Sequence, residues 1–141
     1  MKPAKKKIYL CGPIMDETEG KAREWRQKAR ESLGGDFNLL DPMRRIFKDR
    51  EVDSSNEIVE FDLQDVRDAD ILLVNYTKNS IGTSMEVFYA SYVLHKFVVA
   101  FSQYSFQDCN PWMVKFCTKI LPSLDEAARY IRDHFIVHSI E

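Results

Sequence analysis

Two carboxylates and a phenol mark where this chain could do chemistry. Glu86 ends the stretch Ser80-Ile81-Gly82-Thr83-Ser84-Met85-Glu86. The apolar run Ile71-Leu72-Leu73-Val74 precedes it, and residues 85–94 continue as an apolar, helix-like segment. Open α/β sheets bind ligands at such strand-to-helix turns. Gly82 permits a sharp turn or the close approach of a ligand. The spacing predicts Glu86 in the first helical turn, where unpaired N–H groups and the helix dipole favour an ionised carboxylate. An ionised carboxylate at a cleft is a candidate nucleophile. Thr83-x-x-Glu86 equally fits a capping box, a purely structural device.

Asp62 lies one helical turn after Ile58 and one before Val66, so it shares an apolar face. A carboxylate there is paired or used, because unpaired burial is costly, or it sits solvated at the margin of the stripe. Tyr9 precedes the Gly12-Pro13 turn. Its hydroxyl either reaches Glu86 or finishes an ordinary core tyrosine. Arg44 and Arg45 follow the Asp41-Pro42 stop. They are either phosphate ligands through charge-assisted hydrogen bonds or part of a solvated basic loop. Asp65, Asp68 and Asp70 read as surface and turn positions, with Asp70 able to cap a strand. His95, His134 and His138 fall near helix ends or in the tail, and none has a sequence partner suggesting a triad or a metal site. No metal and no cofactor are expected.

Several elements must position these groups. Residues 1–7 read as a loose leader and 8–11 as a buried strand stopped by Gly12-Pro13. Ala22, Trp25, Ala29 and Leu33 recur at helical spacing up to Gly34-Gly35. A second strand over 37–40 ends at Asp41-Pro42, and a polar loop over 43–55 carries Arg44, Arg45, Lys48 and Arg50. A helix over 56–69 presents Ile58, Val59, Leu63 and Val66, and the third strand follows. Residues 97–101 form a fourth strand and 119–121 a fifth. Pro111-Trp112-Met113 starts a short helix, and 124–135 a final one. Strands alternating with helices argue a parallel sheet covered on both faces. The expected fold is one α/β domain over 1–141, a five-stranded flavodoxin-like sheet. Its crevice would collect residues 9–15, including Gly12, Pro13 and Ile14, the Asp41-Pro42 loop, and residues 80–86.

Composition excludes other classes. A formal net charge of −2 does not suggest a nucleic-acid surface. The apolar run after Lys5-Lys6-Lys7 is too short for a signal peptide or a membrane span. Cys11, Cys109 and Cys117 lack CxxC spacing and read as reduced thiols of a cytoplasmic protein.

Four motifs in order carry a resemblance: Ile8-Tyr9-Leu10-Cys11-Gly12-Pro13; Asp62-Leu63 before Asp68-Ala69-Asp70-Ile71; Gly82-Thr83-Ser84-Met85-Glu86; and Asn110-Pro111-Trp112-Met113. From residue 8 to about 131 the chain resembles the nucleoside 2-deoxyribosyltransferase superfamily. The resemblance implies that Glu86 attacks the anomeric carbon of a nucleoside sugar, that Tyr9 orients Glu86, and that Asp62 assists with contacts and proton transfer. It implies that Asn110 enters a neighbouring subunit's site, making a homo-oligomer, and with Asn110 the adjoining Trp112 and Met113 are candidate substrate contacts. The substrate it implies is a small nucleoside or nucleotide. A covalent carboxylate intermediate splits one hard displacement into two easier ones.

Two branches of that superfamily remain open. Transferases pass deoxyribose to another base; glycosidases acting on nucleoside 5′-monophosphates pass the sugar to water. Transferases usually carry an aspartate where this chain has Ser80, and the matching serine of the hydrolases contacts phosphate. Ser80 with Arg44 and Arg45 points to the monophosphate glycosidase. Asn110 is transferase-like, and Gly12-Pro13-Ile14-Met15 lacks the serine and arginine of some hydrolases. A nucleotide-binding sensor without turnover would use the same turn, but Glu86, Asp62 and Tyr9 together argue against it.

Overall fold

The structure, a computed structural model, describes residues 4–45 and 55–136. Most of the polar loop expected over 43–55, with Lys48 and Arg50, lies outside the described residues, as do His138 and residues 1–3 of the leader. Five strands, β1 (Lys7–Cys11), β2 (Asn38–Leu40), β3 (Ile71–Asn75), β4 (Phe97–Phe101) and β5 (Lys119–Leu121), pair in parallel in the order β2-β1-β3-β4-β5. This is the flavodoxin-like order, with its switch point between β1 and β3. The leader is shorter than expected. Lys7 already belongs to β1, and its N–H donates to the Asp70 carboxylate at 2.9 Å while its carbonyl accepts the Asp70 N–H. Asp70 therefore ties the starts of β1 and β3 together.

Strand periodicity divides the core in two. Successive side chains point to opposite faces, so Ile8 and Leu10 pack against helices α1 (Glu19–Leu33) and α5 (Leu124–Phe135), through Trp25, Ala29, Ala128 and Ile131. Tyr9 and Cys11 face the other way, into a cluster with Val66 of α2 (Ser55–Asp68), Val87 of α3 (Ile81–Phe88) and Met113 of α4 (Pro111–Phe116). Every residue of β3 is buried, as a central parallel strand requires. The same alternation that builds the core thus delivers Tyr9 and Cys11 together to the α2–α3 side.

The segment after β3 departs from expectation. The helix starts at Ile81 with Ser80 as its N-cap, and its last turn is a π-helix over Tyr89–Val93. His95 then takes a left-handed backbone, φ 56°, the conformation that ends many helices. Helix α2 is also only partly seated: Val66 is buried, whereas Val59 and Phe61 are exposed.

Candidate active site

The candidate groups gather at the carboxyl ends of β1 and β3. Tyr9 projects from β1 and donates its hydroxyl to Oε2 of Glu86 at 2.6 Å. Cys11, two residues along the same face, lies with Sγ 3.4 Å from the other oxygen, Oε1. Glu86 hangs from the second turn of α3, not the first, and the first turn holds no acidic residue. Thr83 lies inside α3, so it caps nothing, and the capping-box reading fails. The helix dipole falls off beyond the first turn and does not keep Glu86 ionised. Burial instead pushes its carboxyl up to about 7, with the nearby Asp62 charge adding to the rise and hydrogen bonds from Tyr9 and Cys11 opposing it. Burial likewise raises Tyr9 and Cys11 well above their ordinary values, so both remain protonated donors.

Asp62 is half-buried on α2, with Oδ1 3.6 Å from Nη1 of Arg45. Burial raises its carboxyl to about 6, against the opposing pull of Arg45. Both carboxyls are thus raised by burial, and the Asp62 charge adds to the rise at Glu86. Perturbed acids in a cleft are the signature of proton-transfer sites.

Asp65 is not the surface residue its sequence position suggested. It is buried, and it takes hydrogen bonds from Arg44 at 2.7 and 2.9 Å and from Arg45 at 2.7 Å. Burial pushes the Asp65 carboxyl up, and the two guanidinium groups outweigh it and hold it below the usual range. The arginines expected to hold a phosphate therefore serve an internal ion cluster. One atom of it, Nη1 of Arg45, is buried with no hydrogen-bond partner among the described residues. Asp41 is likewise structural: it caps the short 3-10 turn Pro42–Arg44 by accepting from the Met43 N–H and pairs with Arg30 at 2.8 Å.

Arg26 is a fully buried cation that sequence reasoning passed over. It donates to the carbonyls of Leu10, Gly12 and Ala22, and its Nε lies 3.7 Å from Asp41. It thereby fixes the backbone on both sides of Cys11. Its signal was present: Ala22, Arg26, Ala29 and Leu33 share one helical stripe. Gly12 is needed for packing and not for a special dihedral, because a Cβ there would stand 2.7 Å from the Trp25 ring and 3.0 Å from Asn75. Pro13 is buried beside it and Ile14 is exposed.

The remaining expected residues divide. The Ser80 carbonyl accepts the Ser84 hydroxyl at 2.8 Å, and its own side chain makes no cap bond. Gly82 is exposed, and a Cβ there would meet no neighbouring atom within 4 Å. The Thr83 hydroxyl is buried without a partner among the described residues. Asn110 caps α4 through the Trp112 N–H at 2.9 Å, and its own N–H donates to the Tyr76 hydroxyl. It makes no hydrogen bond to the Glu86 cluster among the described residues. Trp112 is exposed beside Phe88 and Phe116, and Met113 is buried beneath them.

This geometry meets the comparisons with known proteins. Residues 5–104 match the family described as "Nucleoside 2-deoxyribosyltransferase like". The chain belongs to this family. It is thereby an enzyme of the deoxyribosyltransferase-like, N-glycosidic-bond kind. The match contains Tyr9, Asp62 and Glu86 and stops short of Asn110. Three solved structures share the deoxyribosyltransferase-like fold. The 2-deoxyribosyltransferase of Bacillus psychrosaccharolyticus is 22% identical, with 88% of this chain and 91% of that one covered and a TM-score of 0.69. A conserved protein from Enterococcus faecalis is 17% identical over 94% and 100%, with a TM-score of 0.73. The CMP N-glycosidase BcmB of Clostridium botulinum is 17% identical over 92% and 100%, with a TM-score of 0.52. No curated protein matches by sequence.

Proposed function

We propose that this enzyme cleaves the N-glycosidic bond of a nucleoside or deoxynucleoside 5′-monophosphate, with water as the final acceptor. The observation that carries the reading is the 2.6 Å hydrogen bond from Tyr9 to Glu86, which holds one carboxylate oxygen and leaves the other for a sugar. Glu86 attacks the anomeric carbon as the bond to the base breaks, and Asp62 gives its proton to the departing base. Asp62, now a carboxylate, takes a proton from water as that water displaces Glu86 from the sugar. Both carboxyls return to their starting states. Asp62 near 6 and Glu86 near 7 leave a shared proton preferentially on Glu86. The state with Asp62 protonated and Glu86 ionised is therefore the minor one at every pH, and turnover proceeds through that fraction.

Support for the phosphate comes from the start of α3. Ser80 keeps its hydroxyl out of the cap, and the first N–H groups of an eight-residue helix lie beside it. Arg44 and Arg45 add less than their sequence suggested, because Asp65 occupies them. Transfer of deoxyribose to a second base is the alternative, and the transferase-like Asn110 favours it. Asn110 also supports a homo-oligomer in which it reaches a second copy's site. Three free thiols suit a cytoplasmic setting. No helix among the described residues is long and apolar enough to cross a membrane.

The test compares catalytic efficiency on matched nucleosides and 5′-monophosphates, with and without an added base, in wild type and Ser80→Asp. One or two charge-assisted hydrogen bonds, each about 1.5–3 kcal/mol, predict a preference for the monophosphate of roughly ten- to several-hundred-fold. Ser80→Asp narrows it by placing like charges together. A wild type that prefers the free nucleoside and hands its sugar to the added base supports the transferase instead.

A further inference from the structure

We propose that Cys11 is a positioning residue: its thiol holds Oε1 of Glu86 while the Tyr9 hydroxyl holds Oε2, which makes Oε1 the oxygen that attacks the sugar. The proposal rests on the glycosyl-transfer reading of Glu86. Its basis is the geometry of β1. Tyr9 and Cys11 are two residues apart, so the pleat points both at the same face. Glu86 receives them on different oxygens, at 2.6 Å from oxygen and 3.4 Å from sulfur. The nearest competing acceptor for the thiol is the Thr83 carbonyl, farther away at 3.9 Å.

The two donors are chemically unequal, and that inequality is what selects an oxygen. A short O–H···O bond draws carboxylate charge onto Oε2 and occupies it. A thiol is a weak donor. It fixes the direction of Oε1 while leaving most of its electron density for bond formation. Cys11 is fully buried, and burial raises the thiol well above its ordinary value, so it stays a donor and does not become a competing thiolate nucleophile. The backbone around it is held as well, since Arg26 binds the carbonyls of Leu10 and Gly12 on either side.

The charged and titratable groups acting on Glu86 are Tyr9 and Cys11 from β1, Asp62 from α2 and Arg26 from α1. Of these, Cys11 can be changed with the least loss of volume. The experiment uses the full chain labelled with 13C at the glutamate carboxyl carbons, the Glu86 signal being assigned by its loss in Glu86→Gln. The carboxyl is titrated in wild type, Cys11→Ala and Cys11→Ser, alongside thermal midpoints, kcat and KM. Removing a donor to the ionised form raises the Glu86 midpoint in Cys11→Ala, and Cys11→Ser, which keeps a donor on a shorter arm, falls between Ala and wild type. The same order is expected in kcat, with Cys11→Ala lowered about two- to tenfold and KM little changed, as befits one weak hydrogen bond.

A merely packed thiol predicts the reverse ranking, because a buried hydroxyl without a partner is worse than a methyl group. Ser poorer than Ala in both the titration and kcat, or an unmoved Glu86 midpoint in Cys11→Ala, overturns the proposal. A wild type that cleaves no nucleoside or nucleotide defeats the functional reading separately, and the carboxyl titration then still decides whether Cys11 holds Glu86.

Discussion

At the scale of single residues, Glu86 is stabilised in one protonation state and, as the proposed nucleophile, used in the other. Its carboxyl sits near 7 in the folded chain because burial and Asp62 disfavour the charge. An unfolded chain has the ordinary value near 4.5. The folded state therefore holds this proton more tightly. Its stabilising effect is complete below the unfolded value and is lost as pH rises through the folded one. Glu86→Gln removes that cost. The variant is expected to be more stable than wild type at pH 8 by about 1–3 kcal/mol, with the difference gone near pH 4.5. It is also expected to lose at least a hundredfold in turnover, because an amide is a poor nucleophile. Thermal melts at the two pH values and a turnover assay check both halves. A variant less stable at pH 8 and as active as wild type removes Glu86 from the mechanism.

At the scale of elements, helix α3 is built around two conflicting demands. It must pack Val87 and Thr83 inward, and it must leave its first turn open at the sheet's carboxyl edge. Gly82 serves the second demand. A side chain there would meet no neighbour, so the glycine answers no steric need of the fold. Glycine inside a helix costs about 0.5–1 kcal/mol relative to alanine. Gly82→Ala is therefore expected to raise the thermal midpoint slightly while weakening substrate binding, visible as a higher KM. Equal KM values in variant and wild type would mean that no ligand approaches this turn. The ion cluster of Arg44, Arg45 and Asp65 plays the complementary part, joining the β2 exit to α2 and pairing Arg45 with Asp62.

At the scale of the whole molecule, the outer side of α3 and α4 is an apolar face left exposed among the described residues. Ile81, Met85 and Tyr92 are 78%, 68% and 63% exposed, and Trp112 on α4 is 65% exposed. A groove of about 280 Å³ runs between Met85 and Trp112, lined also by Phe88 and Phe116. Exposed aromatic and apolar residues gathered on one face mark interaction sites. Asn110 stands at the start of α4 on the same flank. The face suits a second copy of the chain, which would carry Asn110 toward a neighbouring site. Trp112→Asp is expected to shift the protein to monomer and to reduce turnover with it, as read by light scattering and a parallel assay. A wild type that is monomeric and fully active refutes the shared site.

Sequence alone determined the strands, their flavodoxin-like arrangement, and three candidate groups. Hydrophobic period is a local property, so β4 and α5 were legible to their end residues. Tyr9, Asp62 and Glu86 were legible as candidates because a motif stores their spacing, and the fold brings Tyr9 onto Glu86. What only the tertiary structure decided is pairing across distance. Asp65 resembled a surface acid until the fold brought Arg44 and Arg45, about twenty positions earlier, onto it. Cys11 resembled any reduced thiol until β1 and α3 met. The start of α3 was misplaced for a related reason. Ile81 and Met85 face outward, so its first turn carries no buried stripe to announce it. An ion pair or a hydrogen bond between distant segments leaves no periodic trace in the chain. Its free energy exists only once both segments have been placed against the same end of the sheet.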